Sequence, residues 1–171
     1  MDPDAAPPNA LMQALYDSAI GTAIRESATL FPWIESAHVL MIAVVLGTIA
    51  IVDLRLIGVA AHRRGARQLI VDMLPFTWVA FVLAVVTGTL LFLSNATGYY
   101  ESIPFRFKLL TIVIAGLNMG VFHLTAYRKI GEWDDRLPTP RAAKLAGFSS
   151  LTLWLVVVFL GRWIGYSYPL A

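Results

Sequence analysis

Cysteine is absent from the 171 residues, which removes a disulfide framework, a thiolate metal site and the CxxCH attachment of a covalent haem together. Charge is scarce as well: Asp, Glu, Lys and Arg make up 14% of the chain, against about 25% in an ordinary soluble domain. The sequence has no phosphate-cradling glycine loop, zinc motif, nucleophile motif or paired-carboxylate arrangement, so enzyme chemistry has no visible foothold. Residues 1–10, MDPDAAPPNA, are acidic and proline-rich and lack the basic start and apolar core of a signal peptide. They read as a disordered tip. Any bound metal or cofactor would have to use His, Met, carboxylate or Lys.

What the chain has in excess is apolar length. Hydrophobic residues are 58% of it and the mean hydropathy is +0.70, which points to several membrane spans within one compact domain. About 20 helical residues cross the ~30 Å hydrocarbon core, and four stretches are long enough: 33–61, 71–95, 105–128 and 142–166. Before them, residues 11–30 place Leu11, Leu15, Ala19 and Ala23 at helical spacing, punctuated by Asp17, Arg25 and Glu26. This predicts an amphipathic helix lying in the interface. The fold class expected is therefore all-α: an integral membrane antiparallel four-helix bundle, residues 31–171, with an N-terminal amphipathic interfacial helix. A net charge of +2 and a pI near 9.1 do not signal nucleic acid, because the basic residues sit beside the apolar segments and suit topology determinants better.

The connections HRRGARQLI, ATGYYESIP and KIGEWDDRLPTPR are short enough to make consecutive spans antiparallel neighbours. The first and third, with their flanks, hold Arg63, Arg64, Arg67, Arg128, Lys129, Arg136, Arg141 and Lys144. The other side has Arg25, Arg106, Lys108 and Arg162. By the positive-inside rule both termini lie on the outer, periplasmic side of a bacterial inner membrane. Trp33, Tyr99, Tyr100, Trp163, Tyr166 and Tyr168 would then form an outer aromatic belt.

Ionisable groups inside the spans demand partners, since each costs at least ~2.5 kcal/mol near the bilayer centre. Counting about 1.5 Å per residue puts Glu35, His38 and Lys108 near the outer end, with Gly88 leaving room beside them. Asp53 and His123, joined by Arg55 and Asp72, fall near the inner end, and Asn118 is central. Glu35 and His38 share a helix face, whereas Asp53 and Arg55, two apart, do not. Each histidine reads either as a hydrogen-bonded structural residue or as a haem or metal ligand. His38 and His123 differ in depth by about 20 Å, so they should not clamp one iron. His62 reads as a headgroup-facing residue. Gly47, Gly58, Gly88, Gly116 and Gly120 read as close helix contacts, Gly116 and Gly120 forming a GxxxG spacing.

The stretches FPWIESAHVLMIAVVLGTIAIVDLRLIG and PFTWVAFVLAVVTGTLLFLSNATGYYESIPFRFKLLTIVIAGLNMGVFH resemble the DUF6644 family of small bacterial membrane proteins. The features that carry the resemblance are His38 with the following DLRL, the TGxLLF pattern from Thr87 to Phe92, and Phe107-Lys108 followed by Asn118 and His123. The resemblance covers nearly everything after residue 10 and implies the fold without an activity. More distantly, the helix-1 histidine and the F-K-L-L run are similar to copper-resistance and cytochrome b561 type membrane proteins. The leading functional expectation is a b-type haem-binding electron-transfer protein with His38 and His123 as candidate ligands, Lys108 and Gly88 beside the cofactor, and a membrane redox partner or a second copy of the chain as companion. The alternatives are a proton or small-cation transport module using Glu35, His38, Lys108, Asn118, His123 and Asp53 as a polar route, and a non-catalytic subunit or assembly factor of a membrane complex.

Overall fold

The computed structural model describes residues 9–60, 64–134 and 138–167, and among them there are helices and no strand. His62, Arg63, Arg136, Tyr168 and residues 1–8 of the expected tip lie outside the described residues. The helices are α1 (Ala10–Tyr16), α2 (Ala19–Glu26), α3 (Leu30–Ile57), α4 (Ala66–Ser94), α5 (Ala96–Glu101), α6 (Ile103–Leu124), α7 (Ile130–Trp133) and α8 (Arg141–Ser167). A 3₁₀ turn, Tyr127–Lys129, joins α6 to α7. Helices α3, α4, the α6–α7 segment and α8 are the four long enough and apolar enough to cross a membrane, and the protein is an all-α membrane bundle.

The stops are chemical. Helix α3 ends at Gly58, whose φ of 89° is the left-handed conformation glycine adopts without penalty. The amides of Gly58, Val59 and Ala60 all turn back onto the Leu54 carbonyl. That places the end at Ile57 rather than at the expected residue 61. Ser102 caps α6 by accepting from the Phe105 amide at 3.4 Å, with a proline in the first turn, where its missing N–H costs nothing. Helix α4 has a cap from far along the chain: the Asp134 carboxylate accepts from the amides of Ala66 and Arg67.

The expected interfacial helix is instead two, α1 and α2, because Ser18 stops one and caps the other by accepting from the Gly21 amide. Helix α2 packs on α4 and α1 on α5. Arg25 fastens this arm, donating to the carbonyls of Tyr16 at 3.1 Å and Ser94 at 3.3 Å while its guanidinium covers the Tyr16 ring.

Within the bundle α3 packs against both α4 and α8, and α8 against α6. The fourth edge is thin at its middle. Helices α4 and α6, consecutive in the chain and expected to be neighbours, do not approach closely along their backbones and meet through side chains towards their two ends, where Phe92 stacks on Phe105 at 5.5 Å and Ile70 joins Phe122 in a buried cluster. At the basic end Leu56, Ile70, Phe122, Ile130, Trp133 and Ala143 form a buried apolar cluster. Most large apolar side chains point outward, as lipid requires and water would not permit.

Candidate functional site

Two groups of polar side chains sit at opposite ends of the bundle. At the end bearing the termini, His38 of α3 bonds through Nδ1 to the Thr87 hydroxyl at 2.9 Å. Its ring lies where a side chain at position 88 would be: a Cβ on Gly88 would stand 2.9 Å from Cε1. Lys108 of α6 extends along Gly161 of α8, its Nζ 3.4 Å from where a Cβ would be, and its charge acts on the His38 imidazole. Each basic side chain thus occupies space left by a glycine on a facing helix. The expected pairing of Glu35 with His38 is not formed. Glu35 is exposed and its charge acts instead on Tyr99. Burial first, and then that carboxylate, push the Tyr99 phenol above its usual pKa. No carboxylate lies within ion-pair distance of Lys108 among the described residues.

At the basic end Arg55 turns away from Asp53, as two residues so spaced must. It donates to the Arg64 carbonyl at 2.7 Å and to Thr139 Oγ1 at 3.4 Å, and its Nη2 is 3.6 Å from the Asp134 carboxylate. Asp53 is left inside, 5% exposed. The Ser150 hydroxyl of α8 lies beside its carboxyl, while Oδ2 has no partner. The reason Asp53 is so enclosed is Gly147: a Cβ there would meet the Asp53 carbonyl and Leu56 Cβ at 3.1 Å each, so α3 and α8 cross closely at that point. Asp72 is exposed and lies apart. Asn118 donates to the Ala146 carbonyl at 3.0 Å, and His123, half-buried, bonds by Nδ1 to Met119 of its own helix.

Asp53 and His123 share the wall of a cavity of about 190 Å³ to which all four spans contribute. Its lining is otherwise nearly apolar and rich in aromatic rings. Trp78 meets Phe81 edge to face at 6.0 Å between centroids, and Phe81 meets Trp154 likewise at 6.3 Å, so a chain of rings bridges α4 to α8. A hydroxyl pair, Thr77 to Thr48 at 2.8 Å, joins α3 to α4 at the same wall.

A shared haem does not fit these residues. His38 to Asp53 and Lys108 to His123 each run about 22 Å along their helices, so the histidines stand at opposite ends. The cavity beside His123 is also smaller than the ~300 Å³ at which pockets for drug-sized ligands begin. Among the described residues no three His, Asp or Glu side chains converge as a metal site would need. Of the glycines, Gly116 and Gly120 have nothing within 4 Å of a built Cβ, and neither does Gly47. The GxxxG spacing therefore makes no close helix contact within the chain. Gly147, Ser150 and Gly161 were not singled out from sequence, although Ala143, Gly147 and Ser150 recur at helical spacing as a small-residue face.

The chain belongs to a family of unknown function, DUF6644, whose model it matches over residues 19–167. No curated protein and no solved structure matches it. The more distant likeness to copper-resistance and cytochrome b561 type proteins accordingly has no match behind it.

Proposed function

We propose that the protein is a transport module that carries protons, or a small cation in exchange for them, by way of Asp53. The observation that carries this reading is one side chain: a carboxyl, 5% exposed, with an oxygen lacking any partner, in the wall of a cavity built by all four spans. An ionisable group at such a place is expensive and is functional by default. It can hold a proton or a cation but not both, which is the elementary requirement for exchange.

An open channel is not the mechanism this arrangement favours. A cation entering past His38 meets the Lys108 charge, and the opposite end is plugged by the apolar cluster around Trp133 and Phe122. Alternating exposure of Asp53 suits the geometry better. With the basic connections in the cytoplasm, Asp53 lies nearer that side. The test is proton flux into liposomes holding the purified protein, driven by a potassium diffusion potential. Flux well above empty vesicles, lost in Asp53→Asn, is the expected result; flux equal to empty vesicles would overturn the reading. Electron transfer on haem b is the reading this displaces. A reduced-minus-oxidised absorption spectrum of protein from haem-replete cells is expected to show no Soret or α-band.

A further inference from the structure

We infer that the cavity beside Asp53 is a binding site for a small lipophilic organic monocation, an amine or quaternary ammonium with an apolar or aromatic body. This rests on the transport reading above and names its substrate class.

Among the described residues Asp53 is the only Asp, Glu, Lys or Arg in the lining. A single buried carboxylate calls for one positive charge, and an anion would be repelled. A divalent inorganic cation is disfavoured because Ca²⁺ takes about 6–8 oxygen ligands and Mg²⁺ needs a full octahedron, whereas here Asp53 has the Ser150 hydroxyl beside it and the other polar lining residues, Thr77, Asn118 and His123, bond to Thr48, to the Ala146 carbonyl and to the Met119 carbonyl. An organic cation needs no such shell. Its charge is spread over carbon, and aromatic faces attract it by about 0.5–2 kcal/mol each when desolvated. Trp78, Phe81 and Trp154 supply such rings on the same wall. The volume agrees, since about 150 Å³ holds a benzene ring and about 190 Å³ leaves room for one or two further carbon- or nitrogen-sized groups.

Access follows from the thin edge. Helices α4 and α6 both line the cavity and meet through side chains above and below it, at Phe92 with Phe105 and at Ile70 with Phe122, while between those contacts their backbones stay apart and Trp78, which contributes to the wall, is 47% exposed. The ends of the bundle are obstructed by Lys108 and by the apolar cluster. The way in is sideways, from the acyl chains, which is how an amphiphilic cation already travels. When the cation arrives at protonated Asp53, the carboxyl proton leaves and the carboxylate takes up the positive charge, so one proton exchanges for one cation. The other titratable group facing the cavity is His123 of α6, and a His123→Gln variant separates its protons from those of Asp53.

The experiment uses full-length protein in nanodiscs, with equilibrium dialysis of benzylammonium and of its neutral isostere ethylbenzene. Empty-disc uptake is subtracted. The expected result is saturable binding of the cation and none of the isostere, a loss of about tenfold or more in Asp53→Asn, retention in Asp72→Asn, whose side chain is exposed and apart from the cavity, and release of up to one proton per cation in weak buffer, still seen in His123→Gln. Equal binding of the isostere, or undiminished binding in a folded Asp53→Asn, would overturn the proposal. Should Asp53→Asn fail to fold, the comparison of cation with isostere on the native protein decides alone. Absence of cation binding alongside Asp53-dependent proton flux overturns this proposal and leaves the transport reading standing; loss of both removes both.

Discussion

Asp53 shows what a single residue does against the stability of its own fold. A buried carboxyl with one bare oxygen lowers stability, and burying a polar atom without a partner costs about 1–3 kcal/mol. Replacing it with Leu removes the carboxyl and its bare oxygen at a similar volume. Asp53→Leu is therefore expected to melt no earlier than the native protein and to gain up to about that amount, while flux and cation binding are lost; thermal unfolding in detergent measures the first half. Tyr99 offers a pH test outside the spans. Its pKa is raised in the fold by burial and by Glu35, so the folded state holds the proton longer than the unfolded chain. Stability from this group is complete below the ordinary phenol pKa of about 10 and declines as pH rises from there through the folded value. Glu35→Gln should bring phenolate absorbance in at lower pH, and Tyr99→Phe should flatten the alkaline loss of stability.

At the scale of the helix, the important joints are where distant pieces of chain meet. Asp134 caps α4 from the connection before α8 and pairs with Arg55 of α3. Asp134→Ala removes a cap worth about 0.5–2 kcal/mol and leaves Arg55 without its carboxylate, so a loss of at least that size in chemical denaturation is expected, with Asp134→Asn recovering part. Gly147→Leu forces bulk between α3 and α8 where 3.1 Å separates a Cβ from the neighbouring atoms. Overpacking of that kind costs about 1–3 kcal/mol, and hydrogen exchange around Asp53 should speed up with it. These joints explain what could be read beforehand. The four spans were legible because each is a long apolar run, and His38, Asp53 and Lys108 stood out as charges within such runs. Their partners were not legible. Helices apolar on every side give no preferred face, so nothing local says that Glu35 turns to Tyr99, that Thr87 takes His38, or that Arg55 goes to Asp134, a residue 3.6 Å away in space and on the far side of two spans in sequence. Gly58 stopped α3 by a rule written in its own neighbourhood, whereas the start of α4 depends on a residue no local window contains.

At the scale of the molecule, the bundle is closed on three edges and, between its end contacts, open along the middle of the fourth. A ligand entering between α4 and α6 comes out of the lipid phase, so the concentration it presents to the protein is its mole fraction among acyl chains and not its molarity in the buffer. Each methylene added to an alkylammonium tail deepens partition by about 0.8 kcal/mol, which is about fourfold at room temperature. A homologous series with a fixed headgroup should therefore gain apparent affinity by about that factor per carbon, without one new contact to the protein, and the gain should vanish once binding is expressed per lipid. In that currency the membrane is the first compartment of the binding site, and the headgroup is the only part of the molecule the protein has to recognise.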